Sequence, residues 1–240
     1  MRMQSIIKAI YPAQCVACDT LTEVENGLCG ACWRETQFID GTICDTCGVP
    51  LPGDNDGHRL QCDDCMAIAR PWDRGRAVLV YAGIGRKMVL GLKHGDRTDL
   101  AQPAGIWMAR LARSLIRPDT VIVPVPLHWV RLLRRRYNQS ALLAQSLGRQ
   151  MEKPVCVDAL LRPRRTASLE GHSRDARFAV LSGSISVNAK RMAQIRGKPI
   201  LLVDDVMTSG ATLAACSEAL LDAGAANVSM ITLARVVKDA

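Results

Sequence analysis

Aromatic residues are scarce in this chain, since Phe, Tyr and Trp together make up 4% of its 240 residues. So low a content argues against a single-stranded nucleic-acid platform built from stacked aromatic rings. Histidine is also rare, and its four copies lie too far apart in sequence to form a pair typical of metal ligands. They are His58, His94, His128 and His172. Other residue types are therefore expected to carry the chemistry of this chain.

Long apolar runs are absent as well. No stretch of the sequence approaches the roughly 18 apolar residues that a transmembrane helix needs. The basic stretch over residues 1–14 contains Lys8 within its apolar part, too early for the hydrophobic segment of a signal peptide. We therefore expect a cytoplasmic protein without a membrane span. Its length allows one large domain, or a domain of ordinary size with a small appendage.

Cysteine, in contrast, is abundant, and eight of the ten cysteines form four C-x2-C pairs near the N-terminus. Two sulfurs with this spacing can occupy adjacent corners of a tetrahedron, so two such pairs complete a four-thiolate zinc site. Since no coordination position would stay open, we predict two structural zinc ions. The predicted ligands are Cys15, Cys18, Cys29, Cys32, Cys44, Cys47, Cys62 and Cys65.

The cysteine pattern has alternatives. Disulfides are disfavoured because nothing marks the chain as secreted. The spacing does not decide between consecutive and interleaved pairs, although consecutive grouping is the simpler arrangement. Because large apolar residues are few here, residues 1–70 are predicted to form a zinc-dependent module that resembles a double ribbon. Cys156 and Cys216 are isolated, and a core position is favoured for Cys216 over a role as nucleophile.

The formal net charge of +8 counts every cysteine as a neutral thiol. Eight thiolates and two zinc dications would add four net negative charges, which lowers the total from +8 to +4. The remaining basic excess is moderate. It suits anionic ligands in general, and DNA or RNA is one option among several.

Residues 71–240 have the alternating pattern of an α/β domain with a mostly parallel sheet. The predicted strands are Arg76–Tyr81, Thr120–Val125, Pro154–Val157, Pro199–Val203 and Asn227–Ala234. Helical patterns lie near Leu100–Ile116, Arg131–Met151 and Ala211–Ala223. Ligands of such sheets bind beyond the carboxyl ends of the strands.

One long segment does not fit this alternation. Residues 160–187 are rich in Arg, Ser and Gly and show no steady periodicity. A loop of this length inside a compact domain is usually functional or disordered. We consider two hypotheses, a mobile arm that folds over a ligand and a disordered surface insertion.

The segment ILLVDDVMTSGATL, Ile200–Leu213, places two carboxylates after a buried strand and a run of small hydroxyl residues after them. The 35 residues that follow Asp205 are too few to complete a receiver domain of the two-component type. A P-loop is excluded because no lysine follows Gly210. The remaining interpretation is a phosphate seat at a helix N-terminus, beside carboxylates that accept hydrogen bonds from sugar hydroxyls. A ribose 5-phosphate combines both groups.

This segment resembles the phosphoribosyl pyrophosphate motif of type I phosphoribosyltransferases. Further matches narrow the resemblance to the ComF family of competence-related, phosphoribosyltransferase-like proteins. They are the paired cysteines, LKHG (Leu92–Gly95), the stretch Val123–Ser140, and RRTAS with its downstream arginines (Arg164–Arg177). The resemblance implies a type I phosphoribosyltransferase fold behind the zinc module, covering nearly the whole chain.

The resemblance also implies roles for individual residues. Asp204 and Asp205 would bind the ribose hydroxyls, and the turn would bind the 5′-phosphate through Thr208, Ser209, Gly210, Ala211 and Thr212. The loop after an earlier strand would contact pyrophosphate and Mg2+ through Val125, Pro126, Leu127 and His128. In the arm, the catalytic candidates are Arg164, Arg174 and Arg177. The implied reaction displaces pyrophosphate from the sugar by a nitrogen nucleophile.

Three positions depart from the family pattern. Leu169 and Val180 stand where the arm usually has glutamine and asparagine, and Arg136 replaces a glycine. Ligand binding is thus better supported than turnover.

The sequence leaves two hypotheses for the function. One hypothesis is a phosphoribosyltransferase. The other is a non-catalytic accessory in competence or DNA repair, with single-stranded DNA or a DNA-handling protein as partner.

The run of arginines before Tyr137 also has two interpretations. It comprises Arg131, Arg134, Arg135 and Arg136. Such a cluster is either a solvated helix face, or it contacts pyrophosphate or a nucleic-acid backbone. The sequence does not choose between them.

Overall fold

A computed structural model describes residues 12–54, 57–163 and 183–237 of the chain. Its centre is a four-stranded sheet in which all neighbouring strands are parallel. The strands of the described residues are β1 (Gly75–Val80), β2 (Val121–Pro124), β3 (Leu160–Leu161), β4 (Ser186–Val187), β5 (Pro199–Met207) and β6 (Asn227–Arg235). The central sheet has the order β1-β6-β5-β2, and β3 and β4 form a separate antiparallel ribbon.

Helices connect and flank these strands. They are α1 (Gly30–Glu35), α2 (Asp63–Ala67), α3 (Gly83–His94), α4 (Ala101–Ala112), α5 (Trp129–Arg135), α6 (Gln139–Met151), α7 (Met192–Ile195) and α8 (Ala211–Asp222). Among the described residues, every helix is too short or too polar to span a lipid bilayer. The α/β fold predicted from the sequence is confirmed, with parallel strands and helices as expected.

Both faces of the sheet are covered, which explains the continuous apolar run of β5. Leu201 and Val203 belong to one buried cluster, together with residues of α3, α4 and α6. Ile200 and Leu202 belong to the other, together with residues of α8. The two halves of the cysteine module pack on opposite faces of the sheet. Cys15 packs in the first cluster and Cys44 in the second.

Four elements differ from the predicted ones. The expected helix over 131–151 is two helices, because Arg136 adopts a left-handed φ of 66° that ends α5. This is the position where the family resemblance implies glycine, the residue that adopts such a φ without steric cost. The expected strand Pro154–Val157 is reduced to a single bridge between Val155 and Ile122. Helix α3 was not predicted, and β5 continues past Val203 to Met207.

The arm predicted over residues 160–187 has a paired base. Leu160 pairs with Val187 and Leu161 with Ser186, so β3 and β4 hold its two ends side by side. The catalytic candidates of the arm, Arg164, Arg174 and Arg177, lie outside the described residues. The same is true of the two atypical positions, Leu169 and Val180.

Candidate functional site

The two aspartates lie within β5 and not in the loop after it. The ladder with β6 continues through them, since Asp204 pairs with Thr232 and Val206 with Ala234. Only 9% of Asp204 and 2% of Asp205 are exposed. Two carboxylates held on adjacent residues of a buried strand require specific partners, because burial of an uncompensated charge is costly.

The two carboxylates have different partners. The hydroxyl of Ser140, on α6, donates to Asp204 Oδ1 over 2.8 Å, and the backbone N–H of Asp205 donates to the same oxygen over 2.9 Å. Asp205 instead forms an ion pair, in which its Oδ2 lies 3.2 Å from Nζ of Lys93 on α3. Asp204 is thus held by neutral donors, whereas Asp205 is compensated by a cation.

The protonation of Asp204 depends on its burial and on its charged neighbour. Burial, and next the charge of Asp205, raise the pKa of the Asp204 carboxyl to about 7, while the Ser140 hydroxyl opposes the shift. Near neutral pH the pair therefore holds a proton readily, which lowers the repulsion between the two groups.

Raising the pH from about 5 to about 8 is expected to destabilise the wild type relative to Asp204→Asn. The folded state binds the Asp204 proton more tightly than the unfolded state, so the stability it contributes is lost as the pH rises through the folded pKa. Asparagine mimics the protonated acid and should remove this loss. Thermal unfolding gives the melting temperatures of both proteins at each pH. The pH dependence of the zinc ligands is common to both proteins and cancels when the two are compared. Parallel changes in the two melting temperatures would contradict the assignment.

The turn after β5 has the geometry of an anion seat. Gly210 has a φ of 82° and precedes α8, whose N-terminus carries the positive end of the helix dipole. Thr208 is exposed, Ser209 and Thr212 are half-buried, and the Ser209 hydroxyl accepts from the backbone N–H of Ala211 over 3.5 Å. Ala211 is buried, and its backbone N–H lies in the first turn of the helix. The residues predicted to bind phosphate are therefore together at one helix N-terminus.

The loop after β2 begins beside this edge of the sheet. The backbone N–H of Val125 donates to the Val203 carbonyl over 2.9 Å, and its own carbonyl accepts from the side chain of Asn138. Pro126 is buried and Leu127 half-buried. His128 is buried, and its Nδ1 accepts from the backbone N–H of Val130, which caps α5. The contact of this loop with pyrophosphate stays a prediction.

A basic cavity of about 430 Å³ adjoins the aspartates. Its lining residues are Lys93, His94, Asp96, Arg131, Arg134, Arg135 and Arg136. Lys93 belongs to both features, since it lines the cavity and pairs with Asp205. Burial lowers the pKa of Arg135, and the charge of Asp205 opposes this shift. The arginine run thus lines a concave site and is more than a solvated helix face.

The cysteines form two separate groups, each built from consecutive pairs. The sulfurs of Cys15, Cys18, Cys29 and Cys32 lie within 4.8 Å of one another, and so do those of Cys44, Cys47, Cys62 and Cys65. The Sγ atoms of Cys18 and Cys29 are 3.8 Å apart, and those of Cys47 and Cys62 are 3.6 Å apart. Zn–S bonds of about 2.3 Å in a tetrahedron give an S···S edge of about 3.8 Å. Both groups therefore fit structural zinc.

The isolated cysteine in α8 behaves as a core residue. Cys216 is fully buried, and burial raises its pKa well above the ordinary value of a thiol. A thiol that resists ionisation is a poor nucleophile. The predicted core position of Cys216 is confirmed.

Three side chains of the site were not assigned a role from the sequence. Lys93 and Ser140 lie in the matched stretches LKHG and Val123–Ser140, which was a usable signal. Arg162 is buried at the base of the arm. Burial lowers the pKa of its guanidinium, and the nearby charge of Asp204 opposes this shift. No sequence pattern pointed to Arg162.

Comparison with known families agrees with this architecture. Residues 6–66 match the double zinc ribbon domain, and residues 109–239 match the phosphoribosyl transferase domain. The fold and the matched segments define a protein with a phosphoribosyltransferase domain behind a double zinc ribbon.

Curated relatives narrow the class. The chain is 32% identical to DNA utilization protein YhgH of Shigella flexneri, over 88% of this chain and 91% of that protein. It is 28% identical to competence protein F of Haemophilus influenzae, over 92% and 96% of the two chains. It is 26% identical to competence protein ComFC of Bacillus subtilis, over 94% and 96%. The chain belongs to the ComF family of phosphoribosyltransferase-like proteins.

Proposed function

We propose that this chain binds phosphoribosyl pyrophosphate and Mg2+ and transfers the phosphoribosyl group to a nitrogen acceptor, with release of pyrophosphate. The observation that carries the proposal is the order of three chemically distinct features along one edge of the sheet. The anion seat before α8, the buried aspartate pair and the basic cavity follow one another. Phosphate, ribose and pyrophosphate follow one another in the ligand in the same order.

The aspartates would bind the ribose. A carboxylate beside a phosphate repels it, so Asp204 and Asp205 suit a neutral hydrogen-bond donor better than an anion. The two adjacent hydroxyls of a ribose are such donors. Ser140 and Lys93 hold the two carboxylates in fixed positions before the ligand arrives, which lowers the cost of ordering them on binding.

The basic cavity would bind the leaving group. Negative charge grows on the pyrophosphate as its bond to the sugar breaks, and fixed cations nearby stabilise that charge. Arg131, Arg134 and Arg135 supply such cations from α5, and Lys93 supplies one from α3. Arg164, Arg174 and Arg177 remain the candidates for cations delivered by the arm.

Mg2+ fits this site as a companion of the ligand. It prefers oxygen ligands and usually binds through one or two carboxylates together with substrate phosphates. Asp204 and Asp205 offer carboxylate oxygens, but Lys93 already holds Oδ2 of Asp205. Mg2+ would neutralise phosphate charge, while the chain itself supplies the orientation of the sugar and the cations of the cavity.

A second candidate function is DNA handling without turnover. Helix α5 exposes Trp129, Leu132 and Leu133, at 60%, 41% and 71%, beside its arginines. An exposed aromatic ring among cations is typical of surfaces that bind single-stranded nucleic acid. The names of the relatives from Shigella flexneri and Haemophilus influenzae refer to DNA utilization and competence.

One set of measurements separates the two functions. Calorimetry with phosphoribosyl pyrophosphate and Mg2+ tests ligand binding, and a pyrophosphate assay with a panel of bases and amines tests turnover. Binding together with release supports the transferase. Binding without release, with retention of single-stranded DNA that falls between about 50 and 200 mM salt, favours the accessory role. Absence of binding would overturn the ribose-phosphate assignment.

A further inference from the structure

Two arginines hold the backbone of the anion seat. Arg235, at the end of β6, donates from Nη1 to the carbonyl of Thr208 over 2.8 Å and to that of Val236 over 2.6 Å, and the Met207 carbonyl lies 3.2 Å from the same nitrogen. Arg70 donates from Nη1 to the carbonyl of Ser209 over 2.9 Å. Two consecutive carbonyls of the turn, those of Thr208 and Ser209, are therefore held by guanidinium groups from distant parts of the chain.

This arrangement fixes the direction of the amide groups. No cis peptide bond occurs in the described residues, and in a planar trans peptide the C=O and N–H bonds point in opposite directions. When the carbonyls of Thr208 and Ser209 face the arginines, the N–H groups of Ser209 and Gly210 face the other way. The arginines thus orient amide donors as an anion seat requires.

Arg70 is in turn positioned by the second zinc ribbon. Its guanidinium lies 5.5 Å from the ring centroid of Trp72, which is 4% exposed. The Nε1 of Trp72 donates to the carbonyl of Thr46 over 2.6 Å, and Thr46 lies between Cys44 and Cys47. A chain of direct contacts therefore runs from the second four-cysteine site to the turn.

Arg70 and Trp72 also pack closely against Gly210. A Cβ atom at Gly210 would lie 3.2 Å from both Arg70 Nη1 and Trp72 Cη2, closer than ordinary contact. Cys44, Cys47 and Trp72 also share one buried cluster with Met207 and the start of α8. The first four-cysteine site has no part in this cluster, because Cys15 and Cys32 pack on the opposite face of the sheet.

We propose that Arg70 and Trp72 are positioning residues that couple the second zinc ribbon to the phosphate seat. Binding of a ribose 5-phosphate group then depends on the second four-cysteine site much more than on the first. The inference rests on the proposed function, and it assigns to the cysteine module a part in ligand binding beyond its own folding.

Arg70→Ala tests the positioning role. It is expected to weaken binding of ribose 5-phosphate by about 10- to 100-fold, the usual effect of losing a hydrogen bond with a charged partner. Affinity for pyrophosphate, which suits the basic cavity, should change by less than about twofold. Arg70→Lys should restore part of the loss, because an ammonium group can still donate to the Ser209 carbonyl. Arg74→Ala is the matched control. Arg74 comes from the same segment, but its side chain is 48% exposed and pairs with the buried Asp45 over 3.5 Å, away from the carbonyls of Thr208 and Ser209.

The zinc dependence is tested with Cys62→Ser and Cys18→Ser, which each remove one ligand from a different site. Zinc content should fall by about one equivalent in each variant. The loss of ribose 5-phosphate affinity should be at least about tenfold larger for Cys62→Ser than for Cys18→Ser.

The possible outcomes separate the two proposals. Equal losses in the two cysteine variants, or wild-type affinity in Arg70→Ala, would overturn the coupling even if the ligand site is correct. Failure of the wild type itself to bind ribose 5-phosphate would instead overturn the proposed function. If Cys62→Ser does not fold, the comparison of Arg70→Ala, Arg70→Lys and Arg74→Ala still decides the inference.

Discussion

Asp205→Asn is expected to weaken the binding of phosphoribosyl pyrophosphate by about 30-fold or more, because removing one partner of a buried charge pair costs roughly 2–5 kcal/mol, and about 1.4 kcal/mol is a factor of ten. The substitution keeps the shape of the side chain but removes the charge that compensates Lys93. It also replaces an acceptor for a sugar hydroxyl by a weaker one. Calorimetry of the wild type and the variant, with Mg2+ present, measures the effect.

Two controls make this result specific. Pyrophosphate alone should bind Asp205→Asn at least as well as the wild type, since a negative charge beside the basic cavity has been removed. Asp119→Asn should leave both affinities unchanged, because Asp119 is a surface residue whose ion pair with Lys198 spans 4.0 Å. Affinity of Asp205→Asn within about threefold of the wild type would show that the pair does not hold the ribose.

The wild-type chain is expected to contain two equivalents of zinc, and Cys44→Ser to contain one and to be strongly destabilised. Structural zinc contributes about 10–16 kcal/mol of binding free energy in small zinc-finger peptides, which exceeds the stability of many whole domains. Cys44 is fully buried and its sulfur is one of the four in the second group, so its replacement removes a ligand that solvent does not readily replace. Elemental analysis and thermal unfolding measure the two effects.

Cys156, one of the two isolated cysteines, provides the matched control. Cys156 is 4% exposed and belongs to neither four-cysteine group. Cys156→Ser should therefore retain both zinc equivalents and lose only the modest stability of one buried thiol. One equivalent of zinc in the wild type would mean that only one of the groups binds metal.

The sequence was most informative where the signal is local. The apolar run Ile200–Val203 predicted a strand, and the C-x2-C spacing predicted the metal ligands. The extent of β5 could not be predicted in the same way, because its continuation to Met207 depends on pairing with residues 232–235 of β6. The division of the chain near residue 70 stays a prediction.

The partners of the site were harder to predict for a similar reason. Lys93 and Asp205 meet only when α3 and β5 are folded against the same edge of the sheet. The break between α5 and α6 depends on the backbone of Arg136, an arginine in a conformation that usually indicates glycine. Helical periodicity alone therefore predicted a continuous helix. Two local signals indicated the break, the atypical Arg136 and Asn138, a preferred N-cap residue type that caps α6.

The pairing of β1 with β6 has a consequence for how this chain folds. Gly75 lies beside Met230, so β1 joins the central sheet only through a strand far from it in sequence. Contacts between distant segments form late, because the entropy of closing the intervening loop is lost before the contacts can compensate for it. During synthesis the cysteine-rich segment can therefore bind its metal early, but it must wait for β6 before it packs on a finished sheet. In the interval its apolar surfaces are open to chaperones and to aggregation.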